Sequence, residues 1–201
     1  IVNINKKLNL KTIFITSIHQ SKIIDKKINY KIFNKIDNKA RKYLNNKIDV
    51  NQTLFISMGA RYIFTKHDII NFFKENLINF HGTRLPLDAG SGTHSWKIMR
   101  EDRIDTQLAH VVDSGIDTGG ILDFKSSIYP KHCKIPIDYE NYRLDKFKIF
   151  YKEIITNIKK EKKFFLKNQI NFSGRYNPRL NTLKNGFINW QMSSYDLYNF
   201  I

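Results

Sequence analysis

The chain has 201 residues, 41% of them hydrophobic, and a single cysteine, Cys133. That is enough apolar material for a buried core, while one cysteine excludes an intrachain disulfide and points to a reduced, cytoplasmic setting. The formal net charge of +16 suits an anionic partner, but the lysines are spread from Lys6 to Lys184 without an aromatic-interleaved stripe, so they read as solvated helix faces rather than a nucleic-acid surface.

In chain order, "KTIFITS" (11–17) is a short apolar, β-branched run and reads as a buried strand. "NKARKYLNNK" reads as a helix and "TLFIS" (53–57) as a second strand closed by Met58-Gly59. "KHDIINFFKENL" (66–77) places Ile69, Ile70, Phe72 and Phe73 on one helical side. "LINFH" (77–81) is a third strand and runs into "NFHGTRLPLDAGSGTHSW" (79–96), where Gly, His, Pro and Trp concentrate. "THSWKIMR" (93–100) reads as a short helix, "TQLAHVVD" (106–113) as a strand, "SGIDTGG" as a tight turn and "ILDFKSSIY" as extended chain. From Asp138 the segment ending "FFLKN" carries Phe147, Phe150, Tyr151, Ile154, Ile155 and Ile158 at helical spacing, a stripe that suits core packing. "IKKEKK" (158–163) is the densest basic run and falls inside that helix. "GFINW" (186–190) reads as a short strand, and Ser193 with Asp196 as a capping pair opening a last helix.

Alternating strands and helices, with strands apolar on both faces, predict a Rossmann-like, mostly parallel sheet covered by helices on both faces. The predicted division is a core over 1–135 and a smaller helical and β extension over 136–201. No run is long enough to cross a bilayer, and "IVNINKKLNL" lacks the apolar centre of a signal peptide. Opening on Ile and stopping at Ile201 in mid-helix, the sequence reads as cut at both ends.

In such sheets ligands bind at the carboxyl ends of strands, where both informative loops fall. Asn79 and His81 are two apart on a strand end, so their side chains share a face. An amide that donates to a carbonyl oxygen beside an imidazole that moves a proton suits acyl transfer. The plain alternative is a structural histidine. Asp117, in the glycine-rich "VDSGIDTGGIL", supplies a carboxylate that would orient His81 and favour its charged form. Asp113 reads more simply as a turn residue holding its own backbone. The six histidines are scattered without metal-ligand spacing, so no metal is expected, and Cys133 in "YPKHCK" has no nucleophile motif around it.

Asn79-Phe80-His81, then Leu85-Pro86, then Gly90 to Trp96, then Asp113-Ser-Gly-Ile-Asp117-Thr-Gly together resemble the catalytic domain of the folate-dependent formyltransferases. The resemblance covers Thr53 to Ile128, with a weaker block, "RYNPRLNTLKNGFINW", at 175–190. It implies that an acceptor amine attacks the formyl group of 10-formyltetrahydrofolate. Asn79 would bind the formyl oxygen, His81 would stabilise the oxyanion and assist proton transfer, and Asp117 would hold His81 charged and help the amine lose its proton. Folate would lie against largely main-chain groups at Met58, Gly59, Ala60, Ile63, Asp113 and Gly115. The loop details look most like the short sugar-nucleotide N-formyltransferases, which modify a 4-amino-4,6-dideoxyhexose on a nucleoside diphosphate for O-antigen synthesis. Arg84 and Lys97 are then candidates for an electropositive rim facing the pyrophosphate, and His94 for substrate contact. For Lys97 the plain alternative is a solvent-facing helix lysine, and for His94 a helix cap. By the same analogy a homodimer is expected. A methionyl-tRNA formyltransferase fragment is the nearest alternative, and a non-catalytic nucleic-acid-binding module is the alternative of another class.

Overall fold

The computed structural model describes residues 1–60, 62–90, 93–161, 164–170 and 174–201. Arg61 (between Met58 and Ile63), Ser91 and Gly92 of the 79–96 loop, and Lys162 and Lys163 of the basic run, lie outside the described residues. Two compact units interleave along the chain: residues 1–81, 109–123 and 151–168 form the first, and 82–108, 124–150 and 169–201 the second.

In the first unit, β1 (Phe14–Thr16) pairs in parallel with β2 (Tyr30–Ile32) as a two-stranded sheet. Helix α2 (Asn38–Asn45) starts where the Asp37 carboxylate accepts the Ala40 N–H at 3.0 Å, and it buries Ala40 and Leu44, one turn apart. Strand β3 (Phe55–Met58) pairs in parallel with β4 (Leu77–His81), with Ser57 opposite Asn79. Between them the helix predicted over 66–77 is shorter and wider: a π-helical turn, Asp68–Phe72, stopped by Lys74 and Glu75 at positive φ. Ile69, Phe72 and Phe73 are buried as expected, but the wider turn leaves Ile70 43% exposed. Leu44, Phe72, Phe73 and Leu77 make the core, with Phe55 edge-on to Phe73 at 4.8 Å.

Asp68 is fully buried and anchors the segment leading into this turn. Its carboxylate accepts from Arg41, from the Tyr62 hydroxyl at 2.7 Å and from Thr65 through both hydroxyl (2.8 Å) and backbone N–H (3.1 Å). Burial works against its charge, yet the donors from Arg41, Tyr62 and Thr65 win and hold its pKa down to about 2. Because the folded pKa lies below the ordinary 3.8, this stabilisation is complete above that value and lost as pH falls towards 2. Asp68→Asn is expected to cost about 3 kcal/mol in urea unfolding at neutral pH, with the difference from the parent shrinking below pH ~4.

The four-stranded sheet runs β3-β4-β6-β7, with β6 at Ile104–Val111 and β7 at Ile121–Ile128. Val112 N–H donates to Leu77 O, while Asn79 meets His110, so the contacts run in opposite order along the chain. Strand β6 is therefore antiparallel to β4, and Asn79 and His110 are direct cross-strand neighbours. Helix α4 (Pro136–Lys159) was expected to reach Asn168 but ends at Lys159, two residues before Glu161 at positive φ. Its C-terminal turns bury Tyr151, Ile154 and Ile155 in the first unit. The Tyr151 ring lies 5.2 Å from Phe80 and its hydroxyl donates to Asn5 of α1 (Val2–Lys7).

The second unit contains a parallel pair that the sequence does not announce. Strand β5 (Asp88–Gly90), inside the 79–96 loop, pairs with β8 (Arg175–Asn177). Gly90 has φ +98, and a Cβ there would sit 2.1 Å from the Asn177 carbonyl oxygen, so only glycine fits. Helix α3 (Thr93–Met99) follows as predicted, and Trp96 Nε1 donates to Pro178 O. Tyr129, Cys133 and Tyr139 form a small core, with the Tyr129 hydroxyl donating to buried Asp105. "GFINW" is not a strand. Residues 186–190 are turn and irregular chain, with Phe187 and Trp190 74% and 79% exposed, and the element just before them is α5 (Thr182–Asn185), opened by Asn181. The last helix, α6 (Ser194–Phe200), begins as expected, with Ser193 Oγ accepting the Asp196 N–H and donating to the Asp196 carboxylate.

Candidate active site

Asn79 and His81 sit at the C-terminal end of β4, on the same face and each partly buried. The turn after β6 brings Asp117 to them. Asp117 Oδ2 lies 3.9 Å from His81 Nε2, and its other oxygen, Oδ1, lies 3.7 Å from His110 Nε2. The Asp117, His81 and His110 side chains are 23%, 19% and 2% exposed, so the ring of His110 forms the floor and the other two groups the accessible layer. The imidazoles meet edge to face, with centroids 6.2 Å apart and planes at 85°.

The turn is built to present Asp117. Asp113 Oδ1 accepts from Gly115 N–H at 3.1 Å and from the Thr118 hydroxyl at 2.7 Å, the backbone-holding role its position suggests. Asp117 itself has φ +57, a left-handed conformation that costs a residue with a Cβ about 1 kcal/mol. Buried Gly119 lets the chain fold back on β6, because a Cβ there would lie 1.9 Å from Val111 O. Gly119→Ala is expected to displace the Asp117 carboxylate and lower kcat about tenfold or more, with helix and sheet content unchanged by circular dichroism.

His110 is the residue that pattern reading passes over. It lies in a fully buried run of β6 between Ala109 and Val111, where a single histidine looks like core. Its Nδ1 is 2.8 Å from Val111 O and its Nε2 is 3.1 Å from Asn79 Nδ2. Only the antiparallel register of β4 and β6 turns it into a neighbour of the site. Burial pushes its pKa down, against the opposing pull of the Val111 carbonyl, Asp117 and Asp113.

Of the residues expected to meet folate, Met58 ends β3, Gly59 has φ +59 and Ala60 is exposed. Met58 and Ala60 border a cavity of about 1000 Å³ that is also lined by Phe14–Thr16 and Phe55–Ser57. An exposed ledge of main-chain groups beside an apolar cavity fits a flat heterocycle that reads N–H and C=O groups. Gln20 Nε2 donates to Gly59 O at 2.7 Å and fixes that ledge. Ile63 is 68% exposed, and Asp113 and Gly115 lie on the Asp117 turn.

The electropositive rim expected of Arg84 and Lys97 is not what they form. Arg84 is held by Asp88 (2.8 Å) and Asp102 (2.9 Å). Lys97 is 5% exposed, donates to Ile104 O and lies over the Tyr129 ring, which also corrects its reading as a solvent-facing lysine. A cation this buried needs acceptors around it, and the backbone carbonyl with nearby Asp102 and Asp105 supplies them; burial still pushes its pKa down. His94, inside α3 rather than capping it, pairs with Glu140 at 2.8 Å. Glu140 also accepts from Arg143, and these two partners, His94 first, hold its pKa to about 2 despite burial. Among the described residues no cluster of His, Cys, Asp or Glu is arranged to hold a metal, and no helix is long and apolar enough to cross a membrane.

No protein-family model matches the chain, and no curated protein matches it in sequence. Among solved structures it is similar to WlaRD, a sugar 3N-formyl transferase crystallised in the presence of dTDP and 5-N-formyl-THF. Identity is 28% and the TM-score 0.57, over 75% of this chain and 53% of that one. It is also similar to the formyltransferase PseJ from Anoxybacillus kamchatkensis, in complex with UDP-4,6-dideoxy-4-formamido-L-AltNAc and tetrahydrofolate, at 22% identity and a TM-score of 0.59, over 94% and 97% of the two chains. A 4-N formyltransferase from Francisella tularensis matches at 15% identity and a TM-score of 0.72, over 99% and 81%. The chain thus has the α/β fold of the sugar N-formyltransferases, as its motifs lead one to expect, and spans about half the length of WlaRD.

Proposed function

We propose that the protein is a folate-dependent N-formyltransferase whose acceptor is an amino sugar linked to a nucleoside diphosphate. The observation that carries this reading is the convergence of Asn79, His81 and Asp117 at one strand end, with the Asp117 carboxylate 3.9 Å from His81 Nε2. Bound 10-formyltetrahydrofolate would supply the formyl group. Asn79 Nδ2–H and the His81 imidazolium donate to the formyl oxygen as it gains charge during attack by the acceptor amine. Asp117 holds His81 in its charged form and takes the proton the amine sheds. His81 then returns a proton to the departing folate nitrogen as the old C–N bond breaks. The backbone at Met58, Gly59, Ala60 and Ile63, with Asp113 and Gly115 on the opposing turn, is where we place the folate.

Within this reading the acceptor is a 4-amino-4,6-dideoxyhexose of the dTDP-4-amino-4,6-dideoxyglucose or GDP-perosamine type, made for surface polysaccharide such as O-antigen by a cytoplasmic homodimer. The 79–96 loop and the 175–190 block support that choice, and they meet as the β5–β8 pair. The division into a catalytic core at 1–135 and an extension at 136–201 belongs to the same proposal. The test offers the protein 10-formyltetrahydrofolate with a panel of dTDP-, GDP- and UDP-linked 3- and 4-amino sugars and initiator Met-tRNA, and reads products by mass spectrometry. A formyl gain on one sugar nucleotide is expected. Gain on the tRNA alone would replace the acceptor class, and no gain together with no folate binding would end the reading.

A further inference from the structure

His110 has no role in the chemistry just described, yet it touches two of the groups that do. A carbonyl oxygen only accepts, so the 2.8 Å contact with Val111 O requires the proton on Nδ1. In the neutral ring Nε2 then carries a lone pair, and the 3.1 Å contact with Asn79 Nδ2 is an N–H of Asn79 donating to it. The opposite amide orientation would set Oδ1 against that lone pair. One N–H of Asn79 is thereby held on His110, and the other is left to point away from it.

We propose that His110 is a positioning residue: as the neutral, Nδ1-protonated tautomer it sets the orientation of the Asn79 amide, and on protonation it releases Asn79 and draws Asp117 away from His81. The inference rests on the formyltransferase reading for its kinetic consequence but not for its geometry. A protonated His110 would present Nε2–H to the Asn79 N–H, donor against donor. The anionic acceptor within reach is then Asp117 Oδ1, at 3.7 Å. Asp117 stands between two imidazoles at similar distances, 3.9 Å from His81 and 3.7 Å from His110, so the charge on His110 decides which it serves. The groups facing His110 are Asp117 and Asp113 on the turn and Asn79 and His81 on β4. Burial favours the neutral ring, so the switch is thrown below the ordinary histidine range.

The test has two arms. On the unliganded chain, ¹⁵N NMR of labelled histidine, assigned with His110→Gln, should show His110 protonated at Nδ1 and bare at Nε2 at neutral pH. A bare Nδ1 would overturn the proposal whatever the enzyme's substrate. In the kinetic arm, His110→Leu should lower kcat about tenfold at neutral pH with KM little changed. His110→Gln, whose side-chain oxygen can accept from Asn79, should recover most of that loss and should flatten the fall of kcat on the acid side. Equal losses in both variants, or an acid limb that His110→Gln leaves in place, would make His110 a core residue and nothing more. If no substrate turns over, the NMR arm still decides the geometry.

Discussion

Asn79→Ala is expected to lower kcat by about 10²–10³ while leaving the Kd for folate within a few-fold of the parent. On the proposed mechanism the amide would donate to charge that exists only as the amine adds to the formyl carbon, so its loss would be felt in the transition state and not in ground-state binding. The fold should survive, since Asn79 is partly exposed and its one described side-chain hydrogen bond, to His110, lies at the rim of the core. Asn79→Asp should be no better than Ala, because a carboxylate brings an acceptor and a negative charge to the site of the developing oxyanion. Stopped-flow turnover beside equilibrium folate binding separates the two quantities. A KM effect with kcat preserved would reassign Asn79 to binding.

The second large effect concerns His81 and Asp117 as one device. His81→Ala should lower kcat by about 10³, and Asp117→Ala by a comparable factor. On the proposed mechanism Asp117 both orients the imidazole and takes the proton of the amine in the same step, so the double variant should lose less than the product of the two single losses. Fully multiplying losses would show that the two groups do not act as one device. Asp117→Asn is the finer probe: the amide keeps the shape of the turn, including φ +57, which asparagine tolerates, but removes the negative charge that faces His81. If Asp117→Asn were fully active, the charge would have no part in the chemistry, and the 3.9 Å approach would be structural.

A good deal of this site was legible in local sequence. Strand periodicity puts Asn79 and His81 on one face, and the apolar run before them makes "LINFH" a strand with the bounds observed. Glycines at 115, 119 and 120 around Asp117 mark a tight turn, and the packing of Gly119 on Val111 O is how the chain closes it. The alternation of strands and helices was enough for the α/β class. These features depend on neighbours a few residues away, and that is why one chain suffices to read them.

Only the tertiary structure decided the rest. That His110 stands beside Asn79 follows from the antiparallel register of β6 on β4, a pairing no local pattern encodes. That Arg84 is paired and Lys97 buried follows from Asp88, Asp102 and the Ile104 carbonyl being nearby, since a cation is held by the acceptors the fold brings to it. The β5–β8 pair joins residues more than eighty positions apart, and its two three-residue strands are each too short to show a period. Chemistry carried by spacing along one strand was thus written in the sequence by itself. Orientation and charge, which depend on partners across strands, were set only when the chain folded.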